Sequence, residues 1–143
     1  MNPSDYVFSK ETAIWRTNSR WTGLIYGPAA AILQIAHPAV AHGVANHSDF
    51  QNDTLGRLKR TLLDVNSIAF GTYAEAEATK THLQRMHAQV RGTSDGGLRY
   101  HAFDPELMLW VLATLVVASV EGRELIDGPL PIHEKENFLS DMV

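Results

Sequence analysis

The chain has 143 residues, which is enough for one domain with a single hydrophobic core. Hydrophobic residues make up 45% of it and charged residues 20%, so the composition excludes a disordered chain and is typical of a globular one. The net charge of −4 and the lack of a basic cluster predict that it binds neither nucleic acid nor an anionic membrane surface. Because cysteine is absent, disulfides, thiolate zinc sites, iron–sulfur clusters, and thiolate-ligated or c-type haem are all excluded.

The first ten residues lack the charged-then-apolar pattern of a secretory signal. The longest apolar run, residues 107–120, is about two-thirds of the length that spans a bilayer. We therefore expect a buried core helix there rather than a membrane span, in a cytoplasmic protein.

Proline and glycine mark the first predicted elements. Residues 12–21 are predicted to form a short helix or a loop. Gly27-Pro28 favours the start of a second helix, since proline at the first helical position sacrifices no hydrogen bond. This helix is expected to run to about residue 45, with a kink or break at Pro38.

The third predicted helix has a capping residue, Asp53 or Thr54, and ends at Gly71. Apolar residues recur along it at three- and four-residue steps, which predicts one buried stripe. That stripe consists of Leu55, Leu58, Leu62, Val65 and Ala69.

The fourth predicted helix begins with a capping box, in which Thr72 is followed three residues later by Glu75. It is expected to cover residues 73–91 and to end at Gly92. Residues 93–99 then read as an exposed loop.

A fifth helix is predicted to start at Asp104-Pro105-Glu106 and to end near Asp127. A last amphipathic helix follows Leu130-Pro131, and its apolar residues have no evident partner: Phe138, Leu139 and Met142. No segment alternates with the period of a strand, so we predict no sheet. The expected fold is all-α, a single orthogonal bundle of about five to six helices.

His87 is the first candidate for chemistry. It lies four residues after Leu83 and three before Val90, which with Met86 form the apolar stripe of the fourth helix, so it turns toward the core. His82 lies at the edge of that stripe. A core-facing imidazole needs a hydrogen-bond partner or a metal for each ring nitrogen. Spacing alone leaves two roles open: a structural histidine, which is the commoner case, and a ligand or acid/base.

Arg57 and Thr61 form a second candidate, because residues four apart share one helix face. An arginine and a hydroxyl arranged in this way can hold a carboxylate, a propionate or an oxygen species. The alternative is a solvated flank on which Arg60 and Asp64 form an ordinary surface ion pair.

Three evenly spaced histidines, His37, His42 and His47, are not predicted to form a metal site. Five residues turn by about 140° around a helix, so the three side chains do not converge. The chain also has no Glu-x-x-His pair, which disfavours a di-iron carboxylate bundle, and no phosphate-binding glycine loop.

Taken in order, four segments resemble the MpaB-like oxygenases, the family that includes the latex-clearing rubber oxygenases. The resemblance extends over about residues 23–139. Its segments are Gln34-Ile-Ala-His37-Pro38-Ala-Val, Arg57-Leu-Lys-Arg-Thr61, His87-Ala-Gln-Val-Arg-Gly92, and Tyr100 with Asp104-Pro-Glu-Leu-Met-Leu-Trp110-Val.

The resemblance implies an all-α, globin-like domain that binds haem b. His87 matches the histidine that serves as proximal iron ligand, and Arg57 and Thr61 match residues near the haem that serve in cofactor binding and catalysis. The implied activity is that of a haem-dependent oxidoreductase which activates dioxygen on an apolar substrate.

Two departures from the family pattern limit what the resemblance implies. Rubber-cleaving members have a lysine three residues after the arginine, where this chain has Arg60. Arginine does not deprotonate at neutral pH and is a poor iron ligand, so rubber cleavage is not expected. Family domains also continue with several more helices. Residues 23–143 are therefore interpreted as the N-terminal portion of such a domain, after a lead-in segment at 1–22.

A shortened domain that has lost its haem is the alternative hypothesis. It would be a non-catalytic helical module that binds a small ligand or itself. The apolar face of the last predicted helix, if unpaired, would favour a homodimer. A hydrolase or another metal enzyme would rest on scattered histidines alone.

Overall fold

A computed structural model of the chain describes residues 5–19, 23–49 and 52–142. Within these ranges the chain forms seven helices and one two-stranded antiparallel ribbon. The elements in chain order are α1 (Ala13–Asn18), α2 (Gly23–Ile35), α3 (Pro38–His47), α4 (Thr54–Phe70), α5 (Tyr73–His87), β1 (Arg91–Thr93), β2 (Arg99–His101), α6 (Pro105–Asp127) and α7 (Ile132–Met142). The all-α prediction is confirmed apart from the ribbon.

Most of the helix starts lie where the capping residues predict them. The Asp53 side chain accepts a hydrogen bond from the first turn of α4, and the Asp104 side chain does so for α6. Thr72 and Glu75 form the reciprocal bonds of a capping box at the start of α5. These bonds satisfy backbone N–H groups that have no partner within the helix. Gly128, with a φ of 85°, follows the last residue of α6.

The second predicted helix starts earlier than expected and is broken in two. Pro28 lies inside α2 rather than at its first position, because the helix extends back to Gly23 along α6. At Pro38 the chain breaks, as predicted, and His37 adopts an extended conformation. The ring of a proline disfavours the helical conformation of the residue before it, which explains why α3 begins anew.

The prediction that the chain contains no sheet was wrong, as was the predicted end of the fourth helix. Helix α5 ends at His87, and Gly92 lies in β1, opposite Tyr100 of β2. Tyr100 is only 7% exposed, and its hydroxyl accepts a hydrogen bond from Asn46 of α3. A Cβ at Gly92 would lie 2.6 Å from that hydroxyl, so the ribbon fits against Tyr100 only with glycine there. Burial of one aromatic ring therefore decides the structure of residues 91–101.

Among the residues that the structure describes, the buried apolar side chains form three small clusters rather than one. Each joins elements that are distant in sequence: α1 with α7, α2 with α6, and α3 with β2 and α6. The fully buried apolar members are Ala13, Ile14 and Phe138; Tyr26, Ala30 and Ala118; and Ala39, Tyr100 and Leu107. The expectation that Phe138 lacks a partner was wrong, because it packs against α1 of the same chain. Ile14 also donates its backbone N–H to Asp141 of α7, at 2.9 Å.

Helix α6 was expected to be buried, and it is not. One side packs against α2, but only 17% of its most apolar 18-residue window is buried. Leu109, Val117 and Leu125 follow one another at eight-residue steps along the outer side, and Leu125 is 80% exposed. By length and composition only, this helix is long and apolar enough to cross a membrane.

Close packing of α2 on α6 depends on Gly122. A Cβ at this position would lie 2.7 Å from the Cβ of Tyr26, which cannot move without its backbone. Alanine would gain about 1 kcal/mol in helix propensity but lose about 1–3 kcal/mol to overpacking. We expect Gly122→Ala to lower the free energy of unfolding by about 1 kcal/mol net, measured by urea denaturation. Glu121→Ala, at the exposed neighbouring position, is the control; a Gly122→Ala variant as stable as the unsubstituted chain would contradict the prediction.

Candidate functional site: the α4–α5 hairpin

The three predicted site residues lie on one helical hairpin, formed by α4 and α5. A two-residue connection, Gly71-Thr72, makes the helices antiparallel, and the hydroxyls of Ser67 and Thr79 share a 2.8 Å hydrogen bond between them. The C-terminal end of α5 therefore lies beside the N-terminal half of α4. This arrangement brings His87 to the part of α4 that carries Arg57 and Thr61.

Helix α4 uses two adjacent faces. The apolar face approaches α2, where Leu62 lies 3.1 Å from where a Cβ of Gly27 would be. Arg57, Thr61 and Asp64 follow one another at four- and three-residue steps, so they share one face of α4, on which Thr61 is exposed and Arg57 and Asp64 are half-buried. Leu55 was predicted to belong to the buried stripe but is exposed, because it lies in the first turn of α4.

His87 is half-buried, and its imidazole has no hydrogen bond or ion pair with any residue that the structure describes. His82, on the same helix, is exposed, which agrees with the predicted inward direction of His87. Met86, in contrast, is 46% exposed and does not belong to the buried stripe. Burial lowers the pKa of His87, and the negative charge of Asp64 opposes that shift. The lowered pKa favours the neutral imidazole, which is the form that binds metals.

Arg57 is also half-buried and has no ion pair or hydrogen bond from its guanidinium to the described residues. Burial lowers its pKa, and the nearby charge of Arg60 lowers it further. A partly desolvated guanidinium without an anion is a natural binding group for a carboxylate. Thr61 is exposed, and its hydroxyl donates to the Arg57 carbonyl oxygen at 3.1 Å. Its proton is therefore engaged within the helix, while its lone pairs remain available.

Arg60 does not form the surface ion pair predicted with Asp64. Its guanidinium binds Asp53 instead, at 2.9 Å, where the Asp53 carboxylate already caps α4. Arg60 therefore points away from His87. Asp64 is left half-buried, with no hydrogen bond or ion pair to the described part of the chain. Sequence reasoning missed Asp64 as a site residue, although its seven-residue spacing from Arg57 could have indicated it.

The remaining candidate histidines contact aromatic residues. His37 accepts a backbone hydrogen bond at the start of α3, and its ring centroid lies 5.7 Å from that of Trp110. His42 stacks on Tyr100 at 6.4 Å, and Nε2 of His47 lies 3.4 Å from the Tyr100 hydroxyl. In the described ranges, no three or more histidine, aspartate or glutamate side chains are grouped so that they could hold a metal.

Two surface hollows of the described chain lie away from the hairpin face that carries His87. One, of about 360 Å³, lies beside the ribbon, and the other, of about 500 Å³, lies on the outer side of α5. Neither is lined by Arg57, Thr61 or His87.

The lowered pKa of His87 predicts a pH dependence of stability. As the pH falls below about 6.5, its ordinary pKa, the unfolded chain takes up a proton that the folded chain resists. The contribution of the neutral His87 imidazole to the free energy of unfolding is present in full above pH 6.5. It is lost as the pH falls toward the lower pKa of the folded state. We expect the urea midpoint of the unsubstituted chain to fall more between pH 7.5 and pH 5 than that of His87→Gln. Equal falls for the two proteins would show that burial does not affect this imidazole.

Comparison with known proteins identifies relatives of the chain. Uncharacterized proteins of Mycobacterium tuberculosis and Mycobacterium bovis are each 32% identical to it over 108 residues. The matched region covers 72% of this chain and 42% of either relative, so the chain spans less than half of their length. No solved structure matches it. Residues 15–143 match the family described as "ER-bound oxygenase mpaB/B'/Rubber oxygenase, catalytic domain", and the chain belongs to this family.

Proposed function

We propose that this chain is a haem-b-binding part of an oxygenase that activates dioxygen on an apolar substrate. The observation that carries the proposal is the state of His87. Its imidazole is half-buried, favoured in its neutral form by burial, and free of any protein partner among the described residues. An imidazole that is partly removed from water and has no protein partner leaves its ring nitrogens available to water or to a ligand.

The donor set of the hairpin fits haem better than it fits other metals. Zinc and di-iron sites need three or more protein ligands, and the described residues contain no such group. Haem iron is bound by four nitrogens of its own macrocycle, so one histidine suffices. The chain has no cysteine, so histidine is the natural axial ligand.

Each residue of the hairpin has a separate role in this proposal. Bound haem supplies the redox chemistry with dioxygen, and the protein orients and tunes it. His87 provides the proximal nitrogen. Arg57, half-buried and without an anion, pairs with a propionate carboxylate or stabilises negative charge near the reacting centre. The resemblance favours Thr61 as a hydrogen-bond donor in the pocket, but its proton is donated to the helix backbone, so in this arrangement it can only accept a hydrogen bond there.

An apolar substrate is supported by the apolar side chains that the hairpin leaves in solvent. Met86 lies next to His87 in α5 and is 46% exposed, and Leu63 of α4 is 57% exposed. Arg60 cannot supply a neutral amine to iron and points toward Asp53, which argues against rubber as the substrate. We further propose a cytoplasmic protein that binds no nucleic acid, consistent with the net charge of −4.

Titration of the purified chain with hemin, followed by absorption spectroscopy, tests this function. We expect a Soret band that saturates at one equivalent of hemin. The same chain unfolded in urea exposes all seven histidines and should show only a weak band that does not saturate. If the folded chain behaves like the unfolded one, the haem assignment is wrong.

A further inference from the structure

Asp64 is a half-buried carboxylate that the proposed roles leave unused. Its predicted partner, Arg60, is bound to Asp53. Its own carboxylate has no hydrogen bond or ion pair to the described residues. A carboxylate that is partly removed from water is stabilised by a hydrogen-bond donor. The groups around Asp64 therefore indicate which donor it can bind.

The register of the hairpin places His87 near this carboxylate. Ser67 and Thr79 lie level with each other, since their hydroxyls are 2.8 Å apart. Asp64 lies about 4.5 Å further along α4 from this point, and His87 lies about 12 Å further along α5 in the same direction, at a rise of about 1.5 Å per residue. Their backbones are thus offset by about 7–8 Å along the hairpin.

The directions of the Asp64 and His87 side chains reduce the distance between the two groups along the hairpin. In an α-helix every Cα–Cβ bond tilts toward the N-terminus of its own helix. Because α4 and α5 are antiparallel, the Asp64 side chain leans toward the level of His87, and the His87 side chain leans back toward the level of Asp64. Both residues also lie on the inner faces of the hairpin, with Ser67 on α4 and Thr79 and Leu83 on α5.

We propose that Asp64 is a positioning residue for His87: in the haem-bound protein its carboxylate accepts a hydrogen bond from the ring N–H of the imidazole that does not face the iron, a bond that the structure of the chain alone does not contain. This inference rests on the proposed haem ligation. Metal-binding histidines commonly donate their second ring N–H to a carboxylate, which orients the ring and makes the bound nitrogen a stronger donor. Arg57, which shares the face, lies seven residues from Asp64, about 10 Å along the helix, and forms no ion pair with it.

Asp64→Asn tests the proposal, because asparagine keeps the shape of the side chain and removes the charge. We expect hemin affinity to fall by roughly 10–100-fold. The reduction potential should rise, since a carboxylate on the proximal ligand favours ferric iron. The iron–histidine stretching frequency of the ferrous protein, measured by resonance Raman spectroscopy, should fall. Asp64→Glu, which retains a carboxylate, should restore part of each property.

Glu121→Gln is the matched control, because it removes the same charge from an exposed position on α6. Circular dichroism establishes that each variant is folded. If Asp64→Asn matches Glu121→Gln in affinity, potential and stretching frequency, while His87→Ala still abolishes ligation, Asp64 has no positioning role and the proposed function stands. If His87→Ala leaves the iron–histidine stretch in place, or if the unsubstituted chain binds no haem, both proposals are wrong.

Discussion

His87→Ala is expected to abolish saturable haem binding while leaving the helical fold in place. The substitution removes the nitrogen proposed to hold the iron, so the loss should exceed the roughly 10–100-fold typical of a supporting residue. The imidazole of His87 makes no hydrogen bond to the described residues, so truncation to alanine breaks none in that part of the protein. Hemin titration measures the first effect, and far-ultraviolet circular dichroism measures the second.

His82→Ala is the matched control for this experiment. His82 lies on the same helix but is exposed, so its loss should leave the Soret band unchanged. Added imidazole should restore a band in His87→Ala, because the small molecule can replace the missing ligand. Equal haem binding by both alanine variants would rule out His87 as the ligand and would point to one of the other histidines.

Phe138→Ala is expected to cost about 3–5 kcal/mol of the free energy of unfolding. Phe138 is 3% exposed and is the only large buried residue that α7 contributes to its cluster with Ala13 and Ile14 of α1. Truncation leaves a cavity between the first and last helices, which few other contacts bridge. Natural domains are stable by only about 5–15 kcal/mol, so this loss is a large share of the total.

Urea denaturation of Phe138→Ala and Leu139→Ala, side by side, measures this effect. Leu139 is the next residue in α7 but is 48% exposed, so its truncation should cost much less. Similar losses for the two variants would mean that α7 does not hold α1 through Phe138. In that case the packing of the N-terminal segment would depend on the Ile14–Asp141 bond instead.

Local sequence signals determined where most of the helices begin and end. Asp53, Thr72 and Asp104 cap helices in the structure as predicted, because capping depends on residues within one turn of each other. Pro38 and Gly128 end segments for reasons equally local to the backbone. The order of short motifs also indicated the oxygenase family, to which residues 15–143 belong.

Only the tertiary structure decided which side chains meet. The ribbon at residues 91–101 forms because Tyr100 is buried against α3, which nothing in its own three-residue strand indicates. Arg60 forms its ion pair with Asp53, the capping residue of α4, rather than with Asp64. Which carboxylate an arginine pairs with depends on the position of every charged group that its long side chain can reach. Sequence periodicity gave His87 an inward direction, but the pairing of α4 with α5 determined that it lies close enough to Asp64 to feel its charge. Periodicity describes one helix at a time, whereas the site depends on two.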